Sequence, residues 1–107
     1  MVKIYMRPAD LQINRYGHPG AAEAGQDIVC SAVSILLQTL EIYFKKMNEQ
    51  GSLRELIDDV RPAAACIKAI PAHYDDSIEA SYAFDVISGG LKALAEDYPE
   101  YITLEEA

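Results

Sequence analysis

The chain has little cysteine, no tryptophan and few basic residues. Its 107 residues include two cysteines, and nine lysines and arginines stand against seventeen aspartates and glutamates, for a formal net charge of −8 at pH 7. Two cysteines are too few for a disulfide framework, so we expect both thiols to be free in a reducing compartment. The shortage of basic residues argues against a partner nucleic acid, because binding one needs a basic face that displaces counterions.

Long apolar runs are also scarce. Residues 1–12 hold a short apolar run before Arg7 and Pro8, too short for a signal-peptide core, and no stretch is expected to reach the roughly 20 apolar residues of a membrane span. We therefore expect a cytoplasmic protein with no membrane partner. The length predicts one domain, residues 1–107, whose core forms without staples. No metal-ligand cluster is seen, and no metal or cofactor is expected.

The spacing of apolar residues predicts a small α+β fold. Residues 2–6 and 11–16 predict an N-terminal strand hairpin, with Leu11, Ile13 and Tyr16 as its alternating apolar residues. Two helices are predicted, one over residues 28–47 and one ending near residue 97, and strands are predicted over residues 63–70 and 101–104. Residues 52–60 fit either a helical turn or a strand. The order β-β-α-β-α-β suggests a small mixed or antiparallel sheet with two main helices packed on one face.

The first predicted helix has two apolar stripes, and the second has one. The first helix carries one stripe at positions 29, 33, 36, 37, 40 and 44, and a second at positions 28, 32, 35 and 42. Two stripes predict that its first half is buried nearly all round. On the second helix, the stripe expected to face the core consists of Ile78, Tyr82, Val86, Ile87, Leu91 and Leu94.

The segment from Gly17 to Ser34 holds the residues with chemical potential. Residues 17–25 read GHPGAAEAG and predict a loop that contains His18. If Asp27 caps the helix that follows, Cys30 is its third residue, close to unpaired N–H groups and to the positive end of the helix dipole. A thiol placed there loses its proton more easily, and the nearby N–H groups could bind an oxyanion. These features favour a cysteine nucleophile with His18 as its base.

The same residues also have structural interpretations. A cysteine early in an apolar helix is more often a small buried hydrophobe, and a loop histidine is usually a solvated surface residue. Ser34 could tune the thiol, although helix serines commonly bond to their own backbone. His73 has no neighbouring glycines, which makes His18 the better base. Cys66, inside an apolar strand, is interpreted as structural.

A family resemblance favours the catalytic interpretation. The run GHxxxxxxGQDIVCSAVS resembles the signature of the ribosomal-processing cysteine protease family (Prp), which reads approximately GHAxxxxxGxDIVCAAVS. The ending GGLKALAEDYPEYITLEE also looks like the C-terminal helix and final strand of that family. The resemblance implies that Cys30 is the nucleophile and His18 the base, with Asp27, Ser34 and Gly17 as supporting residues. It implies a mobile substrate loop over residues 19–25, with Pro19, Gly20 and Gly25.

The resemblance also implies a substrate and an assembly. Members of the family are cytoplasmic bacterial proteases, usually homodimers, that remove a short N-terminal extension from the twenty-seventh protein of the large ribosomal subunit. A ribosomal protein is basic, and an acidic enzyme attracts a basic substrate. A phage-type relative that cleaves a capsid or scaffold protein is the alternative substrate assignment. A non-catalytic binding module, in which Cys30 only packs, is the alternative from another class.

Overall fold

The computed structural model describes residues 1–17 and 24–107, and for residues 24–26 it describes the backbone alone. The elements follow one another along the chain as strand β1 (Val2–Arg7), strand β2 (Gln12–Tyr16), helix α1 (Ala24–Glu49), strand β3 (Leu53–Val60), strand β4 (Ala64–Pro71), helix α2 (Tyr74–Asp97) and strand β5 (Ile102–Glu106). The predicted α+β class with two main helices is confirmed, and the ambiguous segment at residues 52–60 is strand β3.

The five strands form one mixed sheet in the order β3-β4-β2-β1-β5. β1 and β2 form the predicted hairpin, joined by a 3-10 turn at Pro8–Asp10. β5 pairs with β1 in parallel, and the other three pairings are antiparallel. Along β1 the residues alternate between buried and exposed, because one face of the sheet lies under the helices and the other is open.

The alternation in β2 places an arginine in the interior. Leu11, Ile13 and Arg15 have exposed fractions of 7%, 1% and 7%, whereas Tyr16 is 46% exposed on the opposite face. The prediction that Tyr16 continues the inner row with Leu11 and Ile13 was therefore wrong, since a strand returns to the same face every second residue. Tyr16 instead packs against Tyr5 on the open face, with ring centroids 5.7 Å apart in an edge-to-face arrangement.

Helix α1 begins earlier than predicted. Its first residue is Ala24, so Asp27 lies in the first turn rather than at the N-cap, and Gly25 belongs to the helix rather than to the loop. A glycine near a helix start costs about 1 kcal/mol relative to alanine, which the backbone hydrogen bonds of an added turn can offset. The core stripe is confirmed on this helix, since Val29, Val33 and Phe44 are fully buried.

The second apolar stripe of α1 and part of the predicted stripe of α2 are exposed, contrary to prediction. On α1, Ile28, Ile35 and Ile42 are 58%, 60% and 67% exposed. On α2, the buried residues are Ala80, Phe84, Ile87, Ser88 and Leu91, while Ile78, Tyr82 and Val86 face outward. The residues at 80, 84, 87 and 91 repeat at helical spacing and cover the sheet, which leaves the stripe at 78, 82 and 86 on the outer side.

The outer faces of the two helices enclose an apolar groove. It has a volume of about 390 Å³ and is lined by Thr39, Leu40, Tyr43, Glu79, Tyr82, Ala83, Val86 and Ile87. A hydrogen bond of 2.5 Å, which the Tyr43 hydroxyl donates to a carboxylate oxygen of Glu79, crosses between the helices. By length and composition alone the helical stretch Asp27–Glu49 could cross a membrane, but in this fold it supplies core residues over the sheet.

Candidate active site

Cys30 lies at the floor of an open depression on α1. Cys30 is 8% exposed, and the depression has a volume of about 480 Å³. All of its lining residues come from one side of the helix, at spacings of three, four and seven, and they are Asp27, Cys30, Ser31, Ser34, Ile35 and Gln38. The structure therefore brings together three of the predicted site residues, Asp27, Cys30 and Ser34, where a peptide could reach them.

The earlier helix start changes the electrostatic argument for Cys30. In a helix that begins at Ala24, the N–H groups without intrahelical partners are those of residues 24–27. Cys30 is the seventh residue, so its own N–H lies beyond the unpaired set. The expected oxyanion hole from first-turn N–H groups beside Cys30 is not formed at this position. Among the residues that the structure describes, polar side chains such as Ser31, Ser34 and Gln38 line the same space as Cys30.

Gly17 is the last described residue before His18, and its backbone requires glycine. Its φ of +130° is rarely adopted by other residues, and a Cβ built there would lie 2.5 Å from the carbonyl oxygen of Met1. Its N–H donates to the carbonyl oxygen of Ala63 at 3.2 Å. His18, Pro19 and Gly20 lie outside the described residues, and so does the remainder of the predicted substrate loop up to residue 23. Gly25 lies in the first turn of α1.

A buried arginine lies beside this site. Arg15 Nη2 donates to the carbonyl oxygen of Arg61 at 2.6 Å, and Nη1 donates to that of Pro62 at 3.2 Å. Arg15 also lines a small recess of about 40 Å³ with Ser34, Leu37, Gln38, Glu41 and Val60. Because Ser34 and Gln38 line both spaces, the recess and the Cys30 depression are neighbours along α1.

A polar cluster marks the other end of the recess. Lys45 Nζ lies 3.2 Å from a carboxylate oxygen of Asp58 and 3.9 Å from one of Glu41. A hydrogen bond with Asp58 raises the pKa of Glu41 above its ordinary value, helped by burial and by the charge of Asp58, while Lys45 acts in the opposite direction. The net effect of the cluster is a pKa for Glu41 above its ordinary value.

The remaining histidine and cysteine are placed away from the depression. His73 is the N-cap residue of α2, and its ring Nδ1 lies 3.3 Å from a carboxylate oxygen of Asp76. Cys66 is half-buried on the open face of the sheet, where the side-chain amide of Gln12 lies 3.9 Å from its sulfur. Within the described parts of the chain, no three histidine, cysteine or acidic side chains converge as a metal site.

Sequence reasoning missed several residues of the site. Ser31, Ile35 and Gln38 line the depression, and a helical projection that starts at Asp27 would have found them, since they lie four, eight and eleven positions after it, on one side of the helix. Arg15 was missed because the alternation of β2 was assigned to Tyr16. The signal was present, since Arg15 is two residues after Ile13 and four after Leu11.

Comparison with known proteins shows the family to which this chain belongs. The profile of the family described as "Cysteine protease Prp" matches residues 1–103. The chain belongs to the Prp family of cysteine proteases. A relative from Mycoplasma genitalium, described as "Ribosomal processing cysteine protease Prp", is 31% identical over 90 residues, which are 84% of this chain and 82% of the relative.

Solved structures share the fold. A Staphylococcus aureus ribosomal processing protease Prp, solved with a substrate peptide, has a TM-score of 0.75 and 20% identity, with complete coverage of both chains. The same S. aureus protease with a covalently linked product peptide has a TM-score of 0.71 and 21% identity, again over both chains completely. A Streptococcus mutans protein has a TM-score of 0.68 and 24% identity, covering 98% of this chain and 90% of its own. At these identities the structures show the Prp fold.

Proposed function

We propose that this Prp protease removes a short N-terminal extension from the twenty-seventh protein of the large ribosomal subunit, with Cys30 as nucleophile and His18 as base. The observation that supports this most is the position of Cys30, at the floor of an open depression together with Asp27 and Ser34. The three residues match the family motif together. Cys30 also belongs to the hydrophobic core, and this depression is where it borders solvent.

The chemistry proceeds by acyl transfer. The imidazole of His18 takes the proton of the Cys30 thiol, and the sulfur attacks the carbonyl carbon of the scissile peptide bond. When the tetrahedral intermediate collapses, the C–N bond breaks and the imidazolium gives its proton to the leaving amine. Water then attacks the thioester, with His18 again as base, and releases the acid product and the free thiol.

Asp27 and Ser34 have separate roles in this proposal. Asp27 lies one helical turn before Cys30, about 4.5 Å along the axis, and its carboxylate suits an imidazole that needs one N–H held and its positive charge stabilised. Ser34 lies one turn after Cys30, about 6 Å along the axis, where its hydroxyl can donate to a bound carbonyl oxygen. Gly17 fixes the backbone directly before His18, and the segment with Pro19 and Gly20 contacts the substrate.

The charge of the enzyme suits a basic substrate. The net charge is −8, and such a field raises the encounter rate with a cationic protein while it repels nucleic acid. We assign the enzyme to the cytoplasm, where ribosomal proteins are made. No cofactor takes part in the mechanism, since the thiol and the imidazole supply the nucleophile and the proton transfers.

A homodimer is part of the same proposal. The outer helix faces carry a row of exposed large apolar side chains around the groove between α1 and α2, among them Ile42, Tyr43, Tyr82 and Val86. Exposed apolar patches of this kind mark association surfaces on soluble proteins. A second copy that docks its own α1 and α2 there would cover both patches at once by two-fold symmetry.

The test is cleavage of the extended ribosomal protein, followed by mass spectrometry. The wild type is expected to release one short N-terminal peptide, and Cys30→Ala is expected to release none while its circular dichroism spectrum stays unchanged. Cys66→Ala is the matched control and is expected to cleave normally, because Cys66 lies on the open face of the sheet. No cleavage, combined with fast alkylation of Cys30 in the wild type, would contradict the ribosomal substrate and favour a capsid or scaffold target.

A further inference from the structure

We propose that Arg15 is a positioning residue for the catalytic base. Its guanidinium fastens the end of β2, from which the His18 segment departs, to the turn between β3 and β4. The inference deepens the proposed function and rests on it, because it takes His18 as the base of Cys30. Arg15 itself touches neither the reacting bond nor the sulfur in this assignment.

The burial of Arg15 is hard to explain by stability alone. It occupies the inward row of β2 after Leu11 and Ile13, and it is 7% exposed. No carboxylate forms an ion pair with it within residues 1–17 and 27–107, and its Nε has no hydrogen-bond partner there. A buried, unpaired cation is unfavourable, and an aliphatic residue would suit a stable core better.

Arg15 and Gly17 between them donate hydrogen bonds to three consecutive carbonyl groups. Its two Nη atoms donate to the carbonyl oxygens of Arg61 and Pro62, and the N–H of Gly17 donates to that of Ala63. The turn is closed by the N–H of Arg61, which donates to the carbonyl oxygen of Ala64 at 2.8 Å. The last residues of β2 are thus attached to this turn at three successive points directly before His18.

The Arg15 side chain also lies beside the face of α1 that carries Cys30. Arg15 lines the 40 Å³ recess together with Ser34 and Val60, and Ser34 lies one helical turn after Cys30. The guanidinium therefore attaches the strand end to the β3–β4 turn by two hydrogen bonds and lies beside α1 in the shared recess. Because a misplacement of about 1 Å can slow an enzyme about 100-fold, a fixed starting point for the base has direct kinetic value.

The test compares Arg15→Met and Arg15→Lys with two controls, all in a Cys66→Ala background so that Cys30 is the single thiol. Methionine keeps an unbranched chain of similar length but no donor, whereas the lysine ammonium can still donate to the two carbonyl oxygens. Arg61→Ala removes a side chain that is 75% exposed and leaves the carbonyl group in place. Phe84→Leu lowers stability from the core of α2, away from the depression.

Four quantities are measured for each variant: kcat and KM for a peptide spanning the cleavage site, the pH dependence of Cys30 alkylation by iodoacetamide, and the thermal midpoint. Arg15→Met is expected to lower kcat by about tenfold or more, with a smaller change in KM, and to slow alkylation at neutral pH. Arg15→Lys is expected to restore most of the kcat and most of the alkylation rate. Arg61→Ala and Phe84→Leu are expected to keep the kcat and the alkylation rate of the parent protein.

The comparison is made at a temperature below the thermal midpoints of both Arg15→Met and Phe84→Leu. If the two variants then have equal kcat values and equal rates of Cys30 alkylation, the positioning role is overturned and the proposed function is left intact. Absence of cleavage by the wild type would instead contradict the ribosomal substrate. In that case the alkylation comparison decides by itself, since a slower Cys30 in Arg15→Met supports the role of Arg15 and an unchanged one refutes it.

Discussion

Gly17→Ala is expected to destabilise the protein by about 3 to 4 kcal/mol, much more than an ordinary glycine substitution. A non-glycine residue at a φ of +130° costs about 1–3 kcal/mol in backbone strain. In addition, the new Cβ would lie 2.5 Å from the Met1 carbonyl oxygen and 3.0 Å from Val2 Cα. Val2 is 2% exposed and its N–H donates to Tyr101, so moving this backbone adds about 1–3 kcal/mol of overpacking.

Two other glycines provide matched controls. Gly51 has a φ of +78° and nothing within 4 Å of a built Cβ, so Gly51→Ala has the strain without the clash and is expected to cost about 1 kcal/mol. Gly89 lies in α2 with open space around it, and Gly89→Ala is expected to stabilise the protein by about 0.5–1 kcal/mol. The three variants differ by one methyl group each and separate strain, clash and helix propensity.

Urea unfolding followed by circular dichroism measures all three. With a denaturant slope of about 1.5 kcal/mol per molar urea, the midpoint of Gly17→Ala is expected to fall by roughly 2 M and that of Gly51→Ala by well under 1 M. Gly17→Ala is also expected to lose cleavage activity in the folded state, because its backbone leads directly into His18. A midpoint for Gly17→Ala no lower than that for Gly51→Ala would refute the reasoning about the Met1 contact.

Three further predictions concern the peptide site, the polar cluster and the outer helix face. Gln38→Ala is expected to raise KM several-fold with kcat unchanged, because Gln38 lies about 12 Å along the helix axis from Cys30; steady-state kinetics with Gln50→Ala as control checks it, and a lower kcat at equal KM would contradict it. Glu41→Gln is expected to raise the free energy of unfolding at pH 7. The hydrogen bond with Asp58 and burial raise the pKa of Glu41, so its ionisation opposes folding as pH rises through that pKa. Below about pH 4, where Glu41 is protonated in both states, the variant and the wild type should unfold at the same urea concentration, and a gain there would point to another cause. Val86→Glu is expected to convert the proposed dimer to a monomer in light scattering, while Gln50→Glu, with the same charge change on an exposed residue, is expected to keep the dimer. A dimeric Val86→Glu would exclude this face as the interface.

Much of the fold could be predicted from the sequence because it depends on local periodicity. The alternation over residues 2–6, the apolar repeat from Val29 to Phe44 and the stop after Glu49 all have local causes, and the structure has the corresponding strand and helix. When a helix has apolar residues on more than one side, the sequence does not determine which side faces the core. Which stripe of α2 faces the sheet depends on how Phe84 and Leu91 fit the strands beneath, and this is a tertiary property.

Asp27 and Ser34 entered the predicted site through the family resemblance, and the structure places both beside Cys30 in one depression. Their roles stay predictions. The start of α1 could not be fixed, because Asp27 is an acceptable cap and the residues before it include Ala24, a strong helix former, and Gly25, a weak one. The role of His18 stays a prediction. The alternation of β2 carried a local signal for the burial of Arg15, whereas its two hydrogen bonds to carbonyl groups have no local signal in the sequence.

The parallel pairing of β1 with β5 affects how the protein can fold during synthesis. Val2 lies opposite Ile102 in this ladder, and closing a loop of that length carries an entropic cost of about 4 kcal/mol. A nascent chain can form its hairpins and helices early, yet β1 keeps one unpaired edge until residues beyond 102 have left the ribosomal tunnel. Newly made molecules are therefore expected to complete their folding after translation of both helices has ended, at the slow rate typical of distant strand pairing.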